Sequence, residues 1–70
     1  MNRPTVETNR ARIVARLVQD GWVLRHGGSH DICTHPDRPR VVITVPRHRM
    51  VSIGVARVIA RAAGWLEQER

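Results

Sequence analysis

The first regular feature of the chain is an apolar stripe at helical spacing near its start. The stripe consists of Val6, Ile13, Val14, Leu17 and Val18. These positions fall on one broad face when successive residues turn by about 100°. Thr5 or Thr8 could cap the beginning of such a helix, and Gly21 stands where a C-terminal cap is expected. The pattern predicts an amphipathic helix over residues 5–20, with Arg10 and Glu7 near the edge of its apolar face.

A second apolar stripe with the same spacing lies near the other end of the chain, at Val55, Val58, Ile59 and Ala62. It predicts a helix that begins at residue 53 or 54, ends at Ala63 and is closed by Gly64. Trp65 and Leu66 are expected to fold back over the core, and residues 67–70 are expected to form a frayed tail.

Three short segments between the two helices have the composition of β-strands. They cover residues 22–25, 30–34 and 40–45. The two glycines between the first two segments can take positive φ in a hairpin turn. Two prolines indicate that residues 35–39 form a loop rather than a strand, and residues 46–52 are expected to form a basic loop. Short connections favour three antiparallel strands in sequence order.

The element order α-β-β-β-α predicts an α+β fold. We expect a three-stranded antiparallel sheet with both helices on one face and the other face open for a ligand. The chain has 70 residues and a mass of 8.0 kDa, which is enough for one small domain. A single domain over residues 1–70 is therefore expected, with its core between about residues 5 and 66.

Charge is the next feature that narrows the function. Arginine supplies all 12 basic residues against 6 acidic ones, so the formal charge is +6 and the pI about 11.7. Nucleic acid is therefore the first partner to consider. Trp22 and Trp65 are the only large aromatic residues, which favours recognition of backbone and shape over base stacking. One cysteine and the lack of a long apolar run argue against a disulfide framework and a membrane segment, so we expect a cytoplasmic protein.

Four histidines are many for so short a chain, and His30 has the most suggestive surroundings. Two glycines and a serine at residues 27–29 precede it, so the backbone could approach a ligand closely and offer N–H groups to a phosphate. The alternative is that the glycines merely close the hairpin. If Ile32 faces the core, His30 lies at the core edge; if Cys33 faces the core, His30 lies on the open sheet face.

The other three histidines give weaker signals. His48 lies between two arginines, which suggests either phosphate contact or a solvated basic loop. His35 is expected to be a polar loop residue, and His26 a turn residue. Metal binding is disfavoured because no two histidines share a helix face and no carboxylate cluster accompanies them. Cys33 is expected to be a small buried apolar residue rather than a nucleophile.

An ordered set of short motifs runs through most of the chain, from residue 11 to residue 65. They are Gly21-Trp22, Gly28-Ser29-His30, His35-Pro36, Val45-Pro46-x-His48 and Gly54-x-x-Arg57-x-Ile59-x-x-x-Ala63-Gly64. This set resembles the HicA family of bacterial toxins. The resemblance implies a fold similar to a double-stranded-RNA-binding domain, activity as a ribosome-independent mRNA interferase, and a HicB-like antitoxin as partner. It also implies that His30 is the catalytic histidine and that Gly28 and Ser29 form its supporting turn.

The mechanism that fits this resemblance uses the 2′-hydroxyl of the RNA as nucleophile, so it requires no metal and no other cofactor. His30 would accept the 2′-hydroxyl proton or protonate the 5′-oxygen, which leaves a 2′,3′-cyclic phosphate and a 5′-hydroxyl. An arginine would balance the developing negative charge, and His48 or His35 could be the second proton-transfer group. The candidate substrate-binding residues are Gly28, Ser29, Arg25, Arg47, His48 and Arg49.

Three positions depart from the family pattern. Asp31 stands where many relatives carry a second histidine, Cys33 stands where the family has a strand aromatic, and residues 49–52 stand where lysines are common. The aromatic at the position of Cys33 suggests that this residue faces inward, which would put His30 on the open face. Two other functions remain: a non-catalytic RNA-binding module of the same fold, and an interaction protein whose basic surface binds an acidic protein.

Overall fold

The computed structural model describes residues 6–65, which form two helices and three strands in the predicted order. The elements are α1 (Arg10–Gln19), β1 (Val23–His26), β2 (His30–His35), β3 (Arg38–Pro46) and α2 (Ile53–Ala63). The strands form one antiparallel sheet in the order β1-β2-β3. The predicted α+β fold is thereby confirmed. Neither α1 nor α2 is long and apolar enough to cross a membrane.

Helix α1 begins later than the apolar pattern predicts. The side-chain oxygen of Asn9 accepts a hydrogen bond from the backbone N–H of Arg12 at 3.1 Å, so Asn9 is the N-cap. The prediction of Thr8 as the cap is wrong, and Thr5 lies outside the described residues. The cause is a contact across the molecule, because the N–H of Val51 donates to the carbonyl oxygen of Thr8 at 2.9 Å. Asn9 forms a β-bridge to the same distant segment, and this pairing keeps the residues before α1 out of the helix.

Helix α2 has the bounds that the sequence predicts. The hydroxyl of Ser52 accepts a hydrogen bond from the N–H of Val55 at 3.2 Å and caps the beginning of the helix. Gly64 closes the helix with a left-handed φ of 84°, and Gly21 follows α1 with a φ of 100°. Residues with a Cβ rarely adopt this backbone conformation, so the two glycines fix where the helices end.

Trp65 folds back toward α1, as expected. Its indole N–H donates to the carboxylate of Asp20 at 2.7 Å, and the guanidinium carbon of Arg16 lies 4.3 Å from the ring centroid. These contacts tie the residue that follows α2 to the end of α1. The predictions for Leu66 and for residues 67–70 lie outside the described residues.

Strand β3 begins earlier than the sequence predicts, although its pairing with β2 is irregular between Thr34 and His35. Strand β3 begins at Arg38, so Pro39 lies inside the strand, and the connection covers residues 36–37 instead of the predicted 35–39. Proline is tolerated because β3 is an edge strand, where a missing N–H need not leave a partner unpaired. Neither Gly27 nor Gly28 has positive φ, contrary to the expectation for the turn between β1 and β2.

One face of the sheet carries the core, and both helices cover it. The buried core residues are Ile13, Leu17, Trp22, Cys33, Ile43, Val45, Val51, Ala56, Ile59 and Ala63. Cys33 pairs with Leu24 and Ile43 on the neighbouring strands, so the three side chains share this face. Cys33 is fully buried. It therefore faces the core, and His30 lies on the opposite, open face.

Replacing Leu17 with alanine tests where the core lies. Leu17 is fully buried, and its truncation leaves a cavity, so we expect the free energy of unfolding to fall by about 2–5 kcal/mol. Val18→Ala is the matched control on the same helix, because Val18 is 53% exposed and its loss should change stability by only about 0.5 kcal/mol. Urea unfolding followed by tryptophan fluorescence measures both variants. Equal losses of stability would contradict the assignment of the core.

Candidate active site

His30 lies at the start of β2, on the sheet face that the helices leave open. It is exposed and pairs with Pro46 on β3. Arg25 on β1 pairs with Ile32, which lies two residues after His30 and therefore on the same face. The open face thus presents an exposed histidine and an exposed arginine side by side on neighbouring strands.

The imidazole of His30 is oriented by the residue before it. The hydroxyl of Ser29 lies 3.0 Å from His30 Nδ1. A hydroxyl both donates and accepts hydrogen bonds, so Ser29 can pair with Nδ1 whether or not that nitrogen carries a proton. In the described part of the chain, no residue hydrogen-bonds to Nε2 of His30. Nε2 is therefore the ring nitrogen that remains for a substrate.

The guanidinium of Arg47 holds the loop that precedes His30. It donates to the carbonyl oxygens of Gly27 at 2.8 Å and Gly28 at 3.0 Å, and its Nε donates to the carboxylate of Asp31 at 2.9 Å. The loop is also tight: a Cβ at Gly27 would lie 2.8 Å from the carbonyl oxygen of His30. Arg47, a predicted substrate-binding residue, therefore has three acceptors inside the protein and fixes the backbone on both sides of Ser29 and His30.

Asp31 is the buried acceptor around which this end of the molecule is organised. Only 2% of the residue is exposed, and its carboxylate binds Arg10 of α1, His26 of β1 and Arg47 after β3. Arg10 also donates from Nε to the carbonyl oxygen of Pro46 at 2.9 Å. A buried carboxylate is costly unless it is paired, and here the pairing joins the first helix to all three strands.

Sequence reasoning treated Asp31 only as a departure from a family pattern and missed this cluster. A signal was present in the alternation along β2, because Asp31 and Cys33 are two residues apart and share a face. An aspartate that faces a core requires a cationic partner. Arg10, at the edge of the apolar face of α1, was the available candidate.

The contacts of Asp31 keep its carboxyl group ionised. The hydrogen bond from His26 makes the largest contribution and lowers the pKa of Asp31, while burial acts in the opposite direction. The hydrogen bond and charge of Arg47, together with the charge of Arg10, lower the pKa further. The net result is a pKa below the ordinary value of 3.8.

His26 is not the turn residue that was predicted. It is the last residue of β1, which runs one residue further than the sequence predicts. Its Nδ1 lies 3.0 Å from a carboxylate oxygen of Asp31, and 77% of its side chain is exposed. Because a carboxylate can only accept, Nδ1 carries the donated proton. His26 shares the helix-covered face with Asp31, its cross-strand partner, so its ring lies on the opposite side of the sheet from His30.

His35 is a structural residue at the far end of β2. Its Nε2 donates to the carbonyl oxygen of Asp20 at 2.9 Å, and its Nδ1 accepts from the N–H of Asp37 at 3.1 Å. Its ring also packs edge-on against Trp22, with centroids 5.2 Å apart. Five residue steps along a strand separate it from His30 by about 16 Å. His35 is thus unavailable as the second proton-transfer group that the sequence left open.

The remaining candidate residues lie at different places near the ends of the strands. Exposed His48 lies just after β3, whose last residue pairs with His30. Arg49 is exposed and lies beside the first turn of α1, where its carbonyl oxygen accepts from the N–H of Arg10 at 2.9 Å. Gly28 borders open space, since a Cβ there would meet no atom within 4 Å.

The thiol of Cys33 is fully buried in the core. Burial raises the pKa of the Cys33 thiol, and the charge of Asp31 raises it further. A buried neutral thiol is a poor nucleophile, which agrees with the prediction for this residue.

Among residues 6–65, no group of three or more histidine, cysteine, aspartate or glutamate side chains is arranged to hold a metal ion.

A comparison with models of protein families gives a match over most of the chain. A family model described as the HicA toxin of bacterial toxin-antitoxin matches residues 10–65, a span that contains both helices and all three strands. No curated protein matches the chain.

The lowered pKa of Asp31 predicts a specific loss of stability in acid. The unfolded chain binds more protons than the folded chain in the range between the two pKa values of this group. The stability that the carboxylate contributes is therefore complete above the ordinary value of 3.8 and is lost as the pH falls through the folded pKa. We expect Asp31→Asn to lower the melting temperature at neutral pH and to flatten its dependence on pH in acid.

Thermal unfolding followed by circular dichroism at a series of pH values from neutral into acid measures this dependence. Asp37→Asn is the matched control, because Asp37 is exposed and no arginine or histidine binds its carboxylate among the described residues. The same acid dependence in wild type and Asp31→Asn would show that Asp31 does not produce it.

Proposed function

The chain belongs to the HicA family of toxins of bacterial toxin–antitoxin systems, and on this premise we propose that it is an endonuclease that cleaves mRNA without a metal ion. His30 is the proposed general acid and base of the reaction. The observation that carries the proposal is the pairing of His30 with Ser29 on an exposed sheet face, where Nδ1 is held at 3.0 Å and Nε2 remains for the substrate. An accessible imidazole nitrogen can accept or donate a proton during a reaction.

The proposed reaction is an internal transesterification of RNA. The 2′-oxygen attacks the adjacent phosphorus while its proton passes to a base, and the bond from phosphorus to the 5′-oxygen breaks as that oxygen takes up a proton. The products are a 2′,3′-cyclic phosphate and a 5′-hydroxyl. His30 Nε2 performs one of the two proton transfers. Exposed His48, just beyond the strand residue that pairs with His30, is the proposed second group.

The surroundings of His30 suit a phosphodiester. Arg25 shares its face, and a guanidinium offers the planar donors that phosphate oxygens accept. Gly28 allows a sugar–phosphate backbone to come close, because it borders open space. We assign Arg25 to the charge that develops at the scissile phosphate and Arg49 to a neighbouring phosphate. Arg47 retains 41% side-chain exposure, but its proposed role is to hold the loop.

Membership of the family implies an antitoxin partner. We propose that this partner is HicB-like and neutralises the toxin by covering the open sheet face around His30. Val23 and Val42 expose 51% and 60% of their surface and lie on that face by strand alternation. Exposed apolar residues beside basic ones are typical of a surface that a protein partner covers.

His30→Ala tests the catalytic assignment. Loss of a general acid or base typically slows a reaction by about 10²–10⁴-fold, so we expect cleavage of a defined mRNA in excess EDTA to slow by that factor. The products of the wild type should carry cyclic-phosphate ends. Since His30 is exposed, the variant should fold with nearly unchanged stability, which circular dichroism checks.

A DNA strand of the same sequence is the control substrate, because it lacks the 2′-hydroxyl and should stay intact. Cleavage of that DNA would exclude the proposed mechanism. RNA that binds the wild type but remains intact would instead identify a non-catalytic RNA-binding module. No RNA binding even at low salt would favour a protein that binds an acidic partner.

A pair of arginine variants tests whether the open face binds RNA. Arg25→Ala removes a proposed phosphate contact, so the slope of log affinity against log salt for single-stranded RNA should fall by about 0.7. Arg61→Ala is the matched control, since Arg61 lies exposed in the last turn of α2, and we expect its slope to be unchanged. Fluorescence anisotropy at several salt concentrations measures both. Equal changes would mean that only the total charge matters.

A further inference from the structure

A groove beside His30 is not used by the proposed chemistry. It runs along the edge of β3, between α2 and the open-face residues Thr44 and Pro46, and has a volume of about 440 Å³. Its lining residues are His30, Thr44, Pro46, Gly54, Val55, Val58 and Ile59. Because His30 itself forms part of the wall, the groove is continuous with the proposed site of phosphate cleavage.

The lining of the groove is uncharged in a chain whose formal charge is +6. Among the described residues that form it, none is an arginine or a carboxylate, and the polar side chains are His30 and Thr44. Val58 on its rim is 64% exposed. Such a lining does not suit a phosphate, which requires donors and positive charge. It suits a flat, neutral group with hydrogen-bonding atoms at its edge.

Gly54 forms part of the groove wall on α2, although the fold does not require glycine there. Gly54 lies in the first turn of the helix, where glycine is less favourable than alanine. A Cβ at this position would meet no atom within 4 Å, so neither packing nor backbone conformation calls for glycine. A larger side chain at this position would extend into the groove beside His30, whereas a single Cβ would not.

We infer that the groove binds a nucleobase of the nucleotide whose phosphate lies at His30. This inference rests on the proposed function and adds a specificity site to it. Val55, Val58 and Pro46 contact the face of the base, and the Thr44 hydroxyl exchanges a hydrogen bond with its edge. Sequence-specific RNA recognition uses the unstacked bases of single strands. The residues that line the groove include no Trp, Tyr or Phe, so its apolar side chains would contact the base instead.

The test measures binding of single-stranded RNA in which every 2′-hydroxyl is methylated, so that binding is separated from cleavage. A series of such oligonucleotides carries one abasic residue at each position in turn. We expect one abasic position to weaken binding to the wild type about ten-fold or more, because the nucleotide then loses the apolar contacts of its base in the groove. Gly54→Leu fills the groove and should abolish the difference between the abasic and the complete oligonucleotides.

Gly54→Ala is the matched control, because its single Cβ meets no atom and should leave the abasic effect intact. Thr44→Val keeps the shape of the side chain but removes the hydroxyl, so it should reduce discrimination among the four bases at the sensitive position. Thr34→Val makes the same change on the same sheet face outside the groove and should leave that discrimination unchanged.

The possible contrary results are distinguishable. Binding of RNA that no abasic position weakens, or an abasic effect of equal size in Gly54→Leu, would overturn the base site and leave the nuclease proposal standing. No binding of RNA by the wild type would overturn both proposals. If Gly54→Leu binds RNA as the wild type does but is no longer neutralised by its antitoxin, the groove belongs to a protein interface and the base site is wrong.

Discussion

The buried carboxylate of Asp31 is the group on which the arrangement of this small protein depends. A charge in the interior must be paired, and here the partners come from α1, from β1 and from the segment that follows β3. Two of these partners are arginines whose remaining donors bind carbonyl oxygens: Arg10 binds Pro46, and Arg47 binds the loop before His30. This one cluster therefore joins α1 to the sheet at one end of the fold and fixes the backbone of the candidate site.

Strand β2 separates the requirements of stability from those of chemistry. Its alternate side chains face opposite ways, so Asp31 and Cys33 point into the core while His30 and Ile32 lie on the open face. A chain of 70 residues can bury only a limited core, and both helices are needed to cover one face of the sheet. The uncovered face is consequently available for a ligand without loss of core packing.

Fewer arginine side chains are available to bind RNA than the net charge suggests. Arg10, Arg38 and Arg47 donate hydrogen bonds to carbonyl oxygens within the protein, and Arg16 lies over the ring of Trp65. These guanidinium groups already make contacts within the protein that stabilise the fold. The proposed RNA contacts therefore depend on a few arginines around His30, and the neutral groove beside that histidine can add selectivity that charge alone does not provide.

The sequence by itself determined the order of the elements, the three antiparallel strands and the bounds of α2, and its short motifs made His30 the candidate catalytic residue. These follow from periodicity, from glycine and proline positions and from short motifs, all of which act between near neighbours in the chain. It did not determine the beginning of α1, the role of Arg47 or the groove. The contacts responsible join residues far apart in sequence: Arg10 and Arg47 lie 21 and 16 residues from Asp31. Only folding brings such partners together, and only the folded geometry shows which arginine is committed to a carboxylate and which remains at the surface.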